Sequence, residues 1–155
     1  MQVLLPDDGA RRLTQALVSS REREIGGILM GEHIAPGIFR IKDFSIQRDG
    51  GTGVTFVRTM RAVLIPLRRF FRQTRHHYTR FNYLGEWHSH PGLALSPSPR
   101  DCSSMWEIVE DNAVGPNFAV LLLVHLDDEG AVRGRVYVFH PGRAMFEGEF
   151  LKEIA

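Results

Sequence analysis

Hydrophobic positions along this chain recur with two different spacings, and the changes between them mark out its elements. Gln2 to Leu5 reads as a short opening strand. Asp7 to Ser19 has helical spacing, with Asp7 or Asp8 as cap and Leu13, Ala16 and Leu17 on one side. Glu24 to Glu32 is an apolar, glycine-bearing strand, and Gly37 to Gln47 (Ile38, Arg40, Lys42, Phe44) is a second strand expected to pair with it. A glycine-rich loop over Arg48 to Gly53 and a short strand over Val54 to Val57 follow. Arg61 to Phe81 is expected to be mostly helix, with Val63, Leu67, Phe70, Phe71, Thr74 and Tyr78 at helical spacing and Pro66 in its first turn. Its other side holds Arg68, Arg72, Arg75 and His76.

The second half repeats the mixture. Asn82 to Trp87 reads as a strand, and Asp101 to Asp111 as a helix capped by Ser98, with Pro99 at its first position. Asn117 to Leu126 is almost wholly apolar, so it is expected at the centre of a sheet covered on both faces. Ala131 to His140 pairs with it across an Asp127–Gly130 turn. Ala144 to Phe150 is a last strand or the start of a C-terminal helix. Strands and helices mixed in this way imply an α/β sandwich around a mixed sheet.

Composition narrows the class. The chain has 155 residues, of which 43% are hydrophobic and 24% charged, the make-up of one soluble domain spanning residues 1–155. A net charge of +1 gives no global field for nucleic acid or membrane. Cys102 is the lone cysteine, which excludes an intrachain disulfide and fits a reducing compartment. No apolar run is long enough to span a bilayer, and the N-terminus lacks the pattern of a signal peptide. A cytoplasmic protein is expected.

The chemistry concentrates between His88 and Asp101. On a strand, residues two apart face one side, so His88 and His90 face one point together and Ser89 turns away. Pro91 and Gly92 end the strand. The loop that follows is long enough to bring Asp101, in the first turn of a helix, back beside the histidines. Two imidazoles and one carboxylate make a three-ligand zinc set of the open kind, which leaves the fourth position for water. Hydrolysis then needs a carboxylate base that is not itself a ligand. Glu24, ahead of Gly26 and Gly27, is the first candidate. The two glycines allow close backbone approach beside it. Glu22, Glu32 and Glu86 are rivals, and Glu86 shares the histidine parity. Cys102 is a poor nucleophile candidate and reads better as a packing residue. A deaminase is excluded because it needs more than one cysteine ligand.

Glu24-x-x-Gly27-x-Leu29-x-Gly31, His88-x-His90-Pro91 and Ser98-x-x-Asp101, in that order, resemble the signature of the JAMM (JAB/MPN+) zinc metalloprotease family. The Gly-Glu-Trp-His-Ser-His-Pro form is similar to the prokaryotic JAB-domain branch. The resemblance implies a deaminase-like α/β/α sandwich with a central mixed β-sheet. It implies Zn2+ held by His88, His90 and Asp101, Glu24 as general acid and base, and Ser98 at the oxyanion. Pseudo-enzyme members lose one or more of these residues, and this chain keeps them all. It further implies peptidase or isopeptidase action after the C-terminal glycine of a ubiquitin-like protein, by deconjugation or precursor trimming. Activating- or conjugating-enzyme-like neighbours and a role in bacterial conjugation or anti-phage defence go with that expectation. The substrate's tail is expected to lie as an added strand on a sheet edge.

Two other functions stay open. Relatives that trim sulfur-carrier proteins share the pattern. A non-catalytic binding or scaffold domain would use zinc as a fixture, normally with a fourth protein ligand. The arginines at 68, 72 and 75 are either a solvated helix face or a dock for an acidic partner.

Overall fold

In the computed structural model the described residues are 1–48, 60–92, 94–113 and 115–153. The expected strand over Val54 to Val57 and the glycine-rich loop beyond Arg48 lie outside them. Among the described residues, three helices and seven strands follow one another as β1 (Gln2–Leu5), α1 (Asp7–Ser20), β2 (Gly26–Ala35), β3 (Ile38–Phe44), α2 (Met60–Gln73), β4 (Phe81–Ser89), α3 (Pro99–Val109), β5 (Ala119–Leu126), β6 (Val132–Phe139) and β7 (Phe146–Lys152).

Helix starts follow local chemistry. Pro6, not Asp7 or Asp8, takes the cap position of α1, and it offers no side-chain cap. The two aspartates sit inside the first turn, where carboxylates meet the positive end of the helix dipole. Helix α3 has both halves of a capping box between Ser98 and Asp101, with Pro99 as its first residue. Helix α2 is shorter than its periodicity predicts. It ends at Gln73, and Arg75 and His76 take left-handed backbone angles (φ 54° and 58°) that cannot continue a helix. The Thr74 hydroxyl bonds back to the Phe70 carbonyl at that end. Phe81 is therefore free to open β4, opposite Glu32 of β2. Pro66 lies within α2 rather than in its first turn.

The strands run in the order β1-β3-β2-β4-β5-β6-β7, and β1 pairs with β7 to close the ring. The β4–β5, β1–β3 and β1–β7 pairs are parallel and the others antiparallel, so the sheet is mixed, as expected. The expected sandwich layering holds only in that helices pack against both faces. The sheet between them is a closed barrel, not an open layer. Register shifts along β2, against both β3 and β4, bend the sheet, and accumulated twist brings its ends within reach of one short strand. Among the described strands, closure leaves no terminal strand on which an added substrate strand would lie.

Alternate residues of each strand divide between two faces. On one, Leu13, Ala16 and Leu17 of α1 join Leu29, Trp87, Val120, Leu122, Val124 and Val136 in the main core. On the other, Met105 and Val109 of α3 pack on Leu121, Leu123, Tyr137 and Phe139. Beside them Phe70 of α2 packs with Ile28 and Met30. Strand β5 is thus buried on both faces, which accounts for its unbroken apolar run.

Candidate metal centre

Strand β4 carries the first two candidate donors. His88 pairs with Gly26 of β2 on one side and Leu123 of β5 on the other. His90, just past the strand, donates its backbone N–H to the Val124 carbonyl at 2.8 Å. Both histidines are buried. Their Nε2 atoms face each other 3.0 Å apart. His90 Nδ1 lies 2.9 Å from the Ala94 carbonyl oxygen. A carbonyl can only accept, so Nδ1 holds the ring proton and Nε2 offers its lone pair.

Asp101 arrives on the third turn position of its capping box. Its Oδ2 accepts the Ser98 N–H at 2.7 Å, and its own N–H donates to Ser98 Oγ at 3.2 Å. The same carboxylate places Oδ1 3.4 Å from His88 Nε2 and Oδ2 3.8 Å from His90 Nε2. Capping partner and candidate ligand fall to one side chain. Burial pushes this carboxyl up, but the His88 ring and the Ser98 donors outweigh it and hold it at about 2. It is a carboxylate at any physiological pH.

Glu24 lies ahead of β2, which begins at Gly26 and not at Glu24 as expected. Its Oε1 is 3.7 Å from His88 Nε2. Donor atoms of Glu24, His88 and His90 all fall within 4.8 Å of one another. The neighbouring Ile25 is tied to Ser89 twice: its N–H donates to Ser89 Oγ at 2.9 Å, and its carbonyl accepts the Ser89 N–H at 2.8 Å. A Cβ on Gly26 would run into the Trp87 carbonyl and come within 2.8 Å of His88 Cβ. The glycine lets β2 approach closely enough to put Glu24 beside the imidazoles.

The donor set suits a small, borderline-soft cation. Zinc bound at roughly 2.0–2.1 Å in a tetrahedron separates its donors by about 3.3 Å. The separations of 3.0, 3.4, 3.7 and 3.8 Å bracket that value. Two imidazoles with two carboxylates fit Zn2+ in chemistry as well.

Two of the rival carboxylates lie elsewhere. Glu32 is buried in ion pairs with Arg80 and Arg40 at the far end of β2, and Glu22 is exposed in the turn after α1. Glu86 is half-buried on β4, two residues before His88. Among the described residues, the carboxylate grouped with the two histidines as a possible metal set is Glu24. Ser98 is exposed at the helix cap and meets the cluster through Asp101. The Cys102 thiol is pushed up by burial and by the Asp101 charge, away from nucleophilic use. On α2, Arg68 and Arg72 are exposed, whereas Arg75 lies past the helix end, so the expected basic stripe is shorter. Reasoning from sequence missed Ser89 and Tyr137. Strand parity turns Ser89 from the metal side, but nothing local names Ile25 as its partner. The Tyr137 hydroxyl donates to the Leu95 carbonyl at 2.6 Å, within the loop between His90 and Ser98.

The family model of prokaryotic homologs of the JAB domain matches residues 6–137. The solution structure of protein DSY2949 from Desulfitobacterium hafniense is similar in fold, with a TM-score of 0.62 at 14% identity. The match covers 97% of this chain and 92% of that one. No curated protein matches the sequence.

Proposed function

The chain belongs to the prokaryotic homologs of the JAB domain, and on that premise we propose that it is a zinc-dependent peptidase or isopeptidase. The observation that carries this is the convergence of two buried Nε2 atoms, 3.0 Å apart, with the Glu24 and Asp101 carboxylates 3.4–3.8 Å from them. In this proposal His88, His90 and Asp101 hold the ion, and Glu24 stays off it as the base.

When bound, zinc would supply a Lewis acid and lower the pKa of a water molecule toward about 7. Glu24 accepts a proton from the attacking water and hands it to the leaving amine as the C–N bond breaks. The Ser98 hydroxyl, one of the donors beside the Asp101 carboxylate, turns in this proposal to donate to the oxyanion on the substrate carbonyl. The Ala94 carbonyl keeps His90 in the tautomer that presents Nε2. Asp101, ionised far below neutral pH, keeps its charge for the cation.

For substrate we propose the C-terminal glycine of a ubiquitin-like protein, released from a conjugate or a precursor, in a bacterial conjugation or anti-phage system. A sulfur-carrier precursor is the alternative of the same chemistry. We place the protein in the cytoplasm, consistent with its lone cysteine; no described helix is long and apolar enough to cross a membrane.

One observation favours a second reading. Glu24 is near enough to His88 to become a fourth ligand, which would close the centre and make zinc a structural fixture of a binding domain. Glu24→Gln separates the two. The catalytic reading expects the variant to keep one zinc per chain and to lose about 100-fold or more in cleavage of a ubiquitin-like fusion. Cleavage by the wild type should also stop with chelator. A variant that cleaves at the wild-type rate, or a wild type that cleaves nothing with zinc bound, sinks the catalytic reading.

A further inference from the structure

The loop joining His90 to the Ser98 cap is held at two consecutive carbonyls. Ala94 O accepts from His90 Nδ1 at 2.9 Å, and Leu95 O accepts the Tyr137 hydroxyl at 2.6 Å. The two peptide units meet at the Leu95 Cα, so fixing one restricts how far the other can turn. Tyr137 is itself held on both sides. It lies within β6, paired with Leu121 on one side and Glu147 on the other, and only 6% of it is exposed. Its ring packs in the cluster of Met105, Leu121 and Phe139, against which the Leu95 side chain also rests.

We propose that Tyr137 is a positioning residue of the metal centre: through the Leu95 carbonyl it steadies the Ala94 carbonyl, which sets the tautomer and aim of His90. The inference rests on the proposed function in one respect, that the imidazole pair takes zinc. Tyr137 touches neither substrate nor ion, and its effect passes through the loop backbone. Partners that orient a ligating histidine usually change metal affinity or activity by about 10–100-fold when removed.

Tyr137→Phe keeps the ring and removes the donor. In the metal-free protein near about pH 8, where an ordinary imidazole is neutral, 15N spectra of the wild type should show His90 as the single Nδ1–H tautomer. The variant should show a tautomer mixture, and competition with a chromophoric chelator should give zinc affinity about tenfold weaker or more. Leu95→Ala is the companion variant. It removes the apolar anchor but keeps both carbonyls and the hydroxyl bond, so its His90 spectrum should match the wild type.

A Tyr137→Phe protein with wild-type zinc affinity and one His90 tautomer overturns the proposal. So does an equal loss of affinity in both variants with the tautomer unchanged, because loop packing would then account for it. A wild type that takes up no zinc, while its single tautomer is lost in Tyr137→Phe, defeats the proposed function and leaves the positioning role standing.

Discussion

Ser89 stands between the two histidines and faces away from them, and replacing it by alanine tests how Glu24 is held in place. The serine is buried, with 2% of its surface exposed, and Ile25 is buried to 1%. Its hydroxyl accepts the Ile25 N–H at 2.9 Å, while its backbone N–H donates to the Ile25 carbonyl at 2.8 Å. Ser89→Ala removes the first link and keeps the second. It leaves a buried N–H without its acceptor, at a cost of about 1–3 kcal/mol. In a domain of this size each kcal/mol lowers Tm by about 2–4 °C, so the melting point should fall by roughly 2–12 °C. Urea unfolding followed by tryptophan fluorescence measures the loss directly. Zinc affinity should hold, since His88, His90 and Asp101 keep their own supports. Turnover should drop by about 10–100-fold, because a base displaced by a fraction of an ångström to an ångström loses that much. Unchanged stability, to within about 0.5 kcal/mol, together with unchanged turnover would refute the clamp.

Gly26→Ala should be worse, since its Cβ meets Trp87 backbone and His88 Cβ and cannot be relieved by a rotamer change; a loss of about 1–3 kcal/mol with weaker zinc binding is expected in calorimetry of metal-loaded protein. Glu32 gives a pH signature away from the metal. Burial raises its carboxyl, but the Arg80 guanidinium outweighs burial and holds it below 4.5. Its stabilising contribution is therefore complete above that pH and is lost as acid passes through the lowered folded value. Glu32→Gln should flatten that part of the acid-unfolding curve, and an unaltered curve would count against it. Reversing charge at Arg68 and Arg72 should raise KM for an acidic substrate and weaken its salt dependence, with kcat unchanged; equal salt slopes would assign these arginines to solvent.

Much of the fold was legible because burial leaves a local trace. The unbroken apolar run from Ala119 to Val124 reads as a strand covered on two faces, and it is one, with α1 on one side and α3 on the other. The Ser98 cap and Pro99 mark the start of α3 to the residue. The end of α2 was not legible, since Thr74 and Tyr78 continue the helical spacing beyond Gln73. There, left-handed backbone at Arg75 and His76 and pairing of Phe81 with β2 override the pattern. Closure of the sheet was equally hidden, because pairing between the first strand and the last leaves no mark on either.

By itself the amino-acid order determined which donors this protein owns: two imidazoles on one side of a strand, a carboxylate in a capped first turn, and an intact family signature. Those are consequences of spacing, and spacing is local. Only the tertiary structure decided which carboxylate stands beside the imidazoles and what holds it there. Glu24 reaches His88 because Gly26 admits a close strand and Ser89 grips Ile25, contacts that join residues more than sixty positions apart. Tyr137 comes from farther along the chain to support His90 through a loop carbonyl. Hydrogen bonds between remote segments depend on how strands stack, and no periodicity in a single segment encodes that.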